Sequence, residues 1–175
     1  MILSTYFIKQ KIAKLIRKPL QRNVEFMPLS KAKSVFIFYN RKDESEVIPT
    51  LKKLNSIRMQ VATFVYDNNI APTNGNKNET QQLICYKQDL NLWGYPPNHI
   101  EKTVLEKQAD ILICLDGDKD YTLRYLMLKH PCSFKVGIKR NKQNIYDFSV
   151  SATINDKNSY ILEQILFYLN TINRK

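Results

Sequence analysis

Glycine is scarce, with four in 175 residues. So few exclude a glycine-rich phosphate cradle, which needs several at fixed spacing beside a strand and a helix. Cysteine is odd in number, and Cys85, Cys114 and Cys132 form no CxxC pair and no Cys/His metal spacing. A zinc module and a disulfide framework are therefore set aside, and a reduced, cytosolic setting is expected. His99 and His130 are the only histidines, and no sequence neighbour makes either one a triad or metal pair. His130 stands two residues from Cys132, but Pro131 puts both in a helix-terminating turn, where a histidine is ordinary. No run reaches the roughly 18 apolar residues of a membrane span. The opening Met-Ile-Leu-Ser-Thr-Tyr-Phe-Ile has no charged start, and Lys9 and Lys11 interrupt it; it does not read as a signal segment. Acidic residues are missing altogether before Glu25.

That last absence sets off the basic charge. The chain carries 27 Lys and Arg against 16 Asp and Glu, a formal charge of +11. Residues 1–34 hold eight basic residues against Glu25 alone, a net of +7. The remainder is close to balanced. Residues 2–18 read as an amphipathic helix, with Ile8, Ile12, Leu15 and Ile16 on one stripe and Pro19 ending it. Residues 1–33 are accordingly expected to be a basic helical arm and connector, followed by one domain over 34–175.

In that domain the near-continuous apolar runs mark strands buried on both faces. Ser34–Tyr39 is the first, Gln60–Tyr66 the second, and Leu83–Tyr86 a short candidate. Asp43 and Ser45 are candidate caps for the helix between the first two, and Pro49 favours a start near Ser45. The polar stretch Asp67–Gln82, with five asparagines, reads as a long loop. From Ala109 to Gly137 come an apolar run, an acidic loop, a helical run stopped by Pro131 and a second apolar run. A parallel pair of strands needs such a return through a helix. Ile145–Ser151 is a further strand, and Ser159 caps a last helix. The expected architecture is α/β: one three-layer Rossmann-like domain with a mainly parallel sheet of about five strands and an N-terminal basic amphipathic helix.

Three separated motifs carry a resemblance. Lys87-x-Asp89-x-Asn91-x-Trp93-Gly94-x-Pro96, then Asp110-Ile111-Leu112-Ile113, then Phe134-Lys135-Val136-Gly137 followed by Tyr146-Asp147 resemble an uncharacterised family of small proteins from Bacteroidota, a domain of unknown function. The resemblance implies a bacterial cytosolic α/β protein and supplies no activity. In that family Asn and Trp are normally adjacent, and here Leu92 stands between them. Residues 110–137 are also similar, at the level of fold, to the first half of heptosyltransferase-type glycosyltransferases. The nucleotide-sugar half of those enzymes would need another ~150 residues, and fold alone does not carry function.

The candidate sites are two. Asp116, Asp118 and Asp120 follow a central strand, where open α/β sheets seat ligands. Carboxylates two apart suit a hard divalent cation, while the plain alternative is a helix N-cap. An EF-hand loop is excluded because Tyr121 replaces its glycine. Trp93 and Tyr95 form an aromatic turn that either recognises a ligand or pins a loop to the core. The second site is the cluster Lys9, Lys11, Lys14, Arg17, Lys18 and Arg22. These would neutralise phosphates on nucleic acid or a ribosome, lie on an anionic membrane with Ile8, Ile12 and Ile16 inserted, or be solvated on a helix packed against the domain. No catalytic constellation, cofactor motif or metal set emerges. The leading expectation is a non-enzymatic cytoplasmic docking module whose residues 1–33 contact a polyanion. The alternatives are a small-molecule-binding or glycosyltransferase-like domain at Asp116 and Asp118, and a protein peripheral to the membrane.

Overall fold

The computed structural model describes residues 2–69, 82–117, 119–139, 145–153 and 155–172. Asp118, the sequence Asn78-Glu79-Thr80 and most of the expected 67–82 loop lie outside the described residues. The elements run α1 (Ile2–Arg17), β1 (Ser34–Asn40), α2 (Glu44–Ser56), β2 (Gln60–Asp67), β3 (Gln82–Tyr86), α3 (Asn98–Glu106), β4 (Ile111–Cys114), α4 (Tyr121–Lys129), β5 (Lys135–Lys139), β6 (Phe148–Ser151) and α5 (Asn158–Thr171). The six strands form one sheet in the order β3-β2-β1-β4-β5-β6, and every neighbouring pair is parallel. The sheet has six strands where about five were expected, because Gln82–Tyr86 pairs fully with β2. The order reverses between β1 and β4. That reversal is the doubly wound switch point, where the loops leaving the two strands diverge and open a crevice at their carboxyl ends.

The strands read as apolar runs because helices cover both faces. On one face Val35, Ile37 and Tyr39 of β1 meet Val47, Leu51 and Leu54 of α2 and Ile161, Leu162 and Ile165 of α5. On the other, Phe36 and Phe38 meet Leu123 and Leu126 of α4, Val104 of α3, and Ile8 and Ile12 of α1. The isoleucine stripe of α1 is thus buried in the second layer. Residues 18–33 then cross to the opposite face, where Phe26, Met27, Leu29 and Ala32 pack and Leu29 N–H donates to Leu169 O. Among the described residues no helix is long and apolar enough to cross a membrane.

Local chemistry adjusts the ends. α2 begins at Glu44 after a 3-10 turn over Arg41–Asp43. Pro49 therefore sits inside it, on the exposed side, where the Ser45 carbonyl that loses its helical partner is open to solvent. β6 starts at Phe148 rather than Ile145, because Tyr146 and Asp147 are used as side-chain clamps. A Cβ on Gly137 would stand 2.3 Å from the Tyr146 ring, and one on Gly117 2.4 Å from its hydroxyl. These two motif glycines are what let the ring lie against β5 and the acidic loop. Asp147 Oδ2 accepts from Lys135 N–H, and Asp147 Oδ1 pairs with Arg22. Asp110 likewise fastens the connector to the sheet, accepting from Lys33 N–H, Ser34 N–H and Ser34 Oγ. Partial burial works against its charge, but those bonds hold its carboxyl below the usual range.

Candidate functional site

Beyond the carboxyl ends of β2, β3 and β4 lies a pocket of about 730 Å³. Its walls come from four places. Thr5 and Ile8 of α1 form one side. Tyr66 and Asn68 close the end of β2. Lys87 and Leu90–Gly94 belong to the turn after β3, and Lys119–Thr122 to the loop after β4.

The turn after β3 is built by its own polar side chains. Asp89 accepts from Tyr86 N–H, and Asn91 Oδ1 accepts from Trp93 N–H and Tyr95 N–H. Gly94 closes it with φ +82°, a left-handed conformation that glycine takes without strain. The turn lifts Leu92 and Trp93 to the surface, where they remain 87% and 50% exposed. The Trp93 ring meets Phe7 of α1 edge-on at 4.4 Å. Tyr95 points the other way: its hydroxyl donates to Phe7 O and its ring lies 5.3 Å from that of Tyr125. The aromatic turn therefore both pins α1 and leaves half of Trp93 uncovered.

On the opposite wall, Asp120 caps α4 by accepting from Thr122 N–H and Leu123 N–H. Burial nonetheless pushes its carboxyl up to about 6, with the charge of Asp116 adding to the effect of burial. Tyr66 is pushed up to about 12, first by burial and then by Asp120. The buried Arg124 donates from Nε to Gly117 O and fixes the base of the acidic loop. The pocket thus joins a half-exposed indole, apolar side chains, a carboxyl that titrates near 6 and two lysines, Lys87 and Lys119. Such a set can hold a flat ring and an anionic group together.

Asp116 does not line this pocket. It is 2% exposed, directly in the crevice between β1 and β4. Its Oδ2 accepts from Asn40 N–H at 3.4 Å and Asn158 Nδ2 at 3.1 Å. Asp43, from the turn after β1, lies near it, and burial followed by the Asp116 charge pushes Asp43 up to about 6. Among the described residues no group of three or more His, Cys, Asp or Glu side chains is arranged to hold a metal.

The basic residues separate into three environments. Lys9 reaches over the Tyr121 ring at 5.0 Å. Lys11, Lys14, Arg17 and Lys18 are exposed and line a second concavity of about 570 Å³, together with Phe7, Gln10, Ala13 and Tyr95. Arg22 is committed internally, donating to Cys132 O and Ser133 O and pairing with Asp147 at 2.6 Å. His99 is exposed. His130 is buried, accepts from Cys132 N–H at Nδ1 and faces Lys107 O through Nε2, and burial lowers it to about 4. It is a neutral structural histidine. All three cysteines are buried and free.

Of the residues singled out from the sequence, Trp93 and Asp120 meet in one pocket. Tyr95 joins four of the six basic residues in the other concavity, and Asp116 and Arg22 belong to neither. Lys87, Asn91 and Lys119 were missed as site residues, although all three stand inside motifs already conspicuous for their aromatic or acidic neighbours. Neither the curated proteins nor the solved structures contain a match to this chain. A family model does match, and it runs from α1 into α5, taking in the basic helix, the aromatic turn and the acidic loop alike. The chain belongs to the family of unknown function DUF6913, whose model matches residues 5–172.

Proposed function

We propose that this chain is a small-molecule-binding domain whose ligand sits between Trp93 and Asp120. The observation that supports the reading most is their convergence. An aromatic turn and an acidic loop, far apart in sequence, wall one pocket at the carboxyl edge of a doubly wound sheet. Ligands of open α/β sheets are held at that edge, in concave sites with apolar walls and a few polar groups. Trp93 offers a surface for a ring, Lys87 and Lys119 offer charge to an anionic group, and Asp120 accepts from a hydroxyl or amino group. The ligand class is a phosphorylated molecule with a flat ring, such as a mononucleotide or a nucleotide sugar. The reading is one of binding, without a chemical step.

The test is thermal stabilisation and calorimetry of the full chain with AMP, UMP, UDP-glucose and adenosine. A phosphorylated ligand should stabilise it more than adenosine does. Trp93→Ala should weaken binding on the order of tenfold, since stacking contributes roughly 1–3 kcal/mol. Stabilisation by none of the four, or affinities that Trp93→Ala leaves alone, would count against the pocket.

A further inference from the structure

α1 has a second working face, independent of the pocket. Its buried stripe, Ile8 and Ile12, faces α4. The adjacent stripe carries Phe7, Gln10, Lys11, Lys14, Arg17 and Lys18, positions that fall at i, i+3, i+4, i+7, i+10 and i+11 on one side of a helix. From Lys11 to Lys18 the axial distance is about 10 Å. We propose that this groove binds the backbone of a single-stranded nucleic acid, with the four cations on phosphates and Tyr95 at its aromatic edge.

Three observations carry the assignment. The first is charge without compensation. Arg22 and Lys129, by contrast, have acidic partners, Asp147 and Glu101. Lys11, Lys14, Arg17 and Lys18 have no ion pair among the described residues, and α1 contains no acidic residue. Four like charges gathered in one concavity repel one another, and a line of phosphates reverses that penalty. The second is composition. Tyr95 lines the groove, and Tyr6 (56% exposed) stands beside Phe7 at the N-terminal end of the same helix. Cations tracking a backbone beside aromatic rings are the recurring device for unpaired strands, whose bases are free to stack. The third is rigidity. Ile8, Ile12 and the Tyr95 hydroxyl bond to Phe7 O fix the helix on the domain, so binding orders little that is not already ordered.

A lipid surface fits less well. Of the isoleucines that an interfacial helix would insert, Ile8 and Ile12 are already buried and Ile16 is partly so, and charges inside a concavity cannot all meet one plane.

The test is fluorescence anisotropy of a labelled U10 oligonucleotide with the full chain at 50, 100 and 200 mM NaCl. A dT10 arm and a phosphatidylserine/phosphatidylcholine vesicle arm run alongside. Four phosphate contacts on a single strand give a slope of log K against log salt of about −3, or roughly 50-fold weaker binding from 50 to 200 mM. Lys14→Glu/Arg17→Glu should weaken U10 binding at least about tenfold and flatten the slope by about 1.4. Lys52→Glu/Lys53→Glu, an equal charge change on exposed positions of α2, should leave both unchanged. Equal binding of dT10 supports readout of the backbone. No U10 binding at 50 mM, equal losses in the two double variants, or sedimentation with vesicles in the absence of U10 binding would each overturn the proposal.

Discussion

Asp43, in the turn after β1, and Asp116, after β4, lie close enough across the switch-point crevice for the charge of Asp116 to act on Asp43. Asp43 Oδ2 and Asp116 Oδ1 are buried and meet no donor among the described residues. A buried carboxylate beside a second one holds its charge at a cost, first from burial and then from its neighbour's charge. Asp43 is the group pushed up to about 6. Because the folded value exceeds the unfolded one, the folded state binds the extra proton. The pair therefore opposes folding above about pH 6, and that opposition is relieved as pH falls through 6 toward 4.

Asp43→Asn removes the charge and offers an amide donor to Asp116. The variant should melt roughly 2–4 °C above the native chain at pH 8, corresponding to about 1 kcal/mol. The difference should narrow below pH 6 and close by about pH 4. Thermal melts of both proteins from pH 4 to 8 check this, and a variant less stable at pH 8 than the native chain would refute the account.

The Tyr146 ring leaves no space for a side chain at Gly137. The φ of Gly137 is not the issue; the contact is. Gly137→Ala forces the ring out of the wall formed by Cys114 and Gly117, and should cost about 3 kcal/mol, or roughly 6–12 °C in Tm. In Gly137→Ala/Tyr146→Ala the two losses should not add, because the clash disappears with the ring. Urea titrations of the single and double variants measure the coupling.

Some of this was legible from the sequence, and physics decides which part. β1, β2, β4 and β5 announced themselves because a strand buried on both faces has no polar side to disguise it. The same rule misread Ile145-Tyr146, whose apolar character serves a clamp on two glycines instead of β6. Composition could not separate Arg22 from Lys14, since only tertiary pairing with Asp147 does so. Nor could it show Lys135 to be buried. Trp93 and Asp120 each stood out alone, but their meeting depends on strand order, which no local pattern encodes. The closeness of Asp43 and Asp116 is hidden for the same reason: it exists only because β4 lies beside β1.

Asp120 should make anion binding in the pocket pH-dependent. Its carboxyl titrates near 6, so a phosphate nearby meets a negative charge at pH 8 and a neutral group at pH 5. Asp120→Asn keeps a good capping side chain for α4 and removes a charge that burial disfavours, so at pH 8 the variant should melt no lower than the native chain. At pH 8 it should bind AMP roughly three- to tenfold more tightly than the native chain, as expected for relief of one charge–charge contact. The gain should vanish at pH 5. Calorimetry of both proteins at the two pH values cancels the ligand's own titration. Weaker binding by Asp120→Asn at both values would instead assign Asp120 to a hydrogen bond that requires its charge.

Arg22 decides whether residues 18–33 are an appendage or part of the fold. Its guanidinium donates to two carbonyls before β5 and to Asp147, which in turn accepts from Lys135 N–H. The nearby Lys135 is lowered to about 8, by burial first and by the Arg22 charge second. Arg22→Ala would strand Asp147 and two carbonyls, a loss of about 3 kcal/mol. It would also let Lys135 return toward its ordinary value. For a lysine lowered in the folded state, the penalty is full below pH 8 and fades as pH rises toward 10.5. The stability deficit of Arg22→Ala relative to the native chain should therefore be smallest near pH 7 and widen as pH rises toward 10, because the native chain has the larger penalty to shed. Urea titrations at pH 7, 8, 9 and 10 follow it. An Arg22→Ala variant as stable as the native chain would mean that the connector's charge is idle in the fold, and Arg22 would then rejoin Lys11, Lys14, Arg17 and Lys18 as a cation open to a partner.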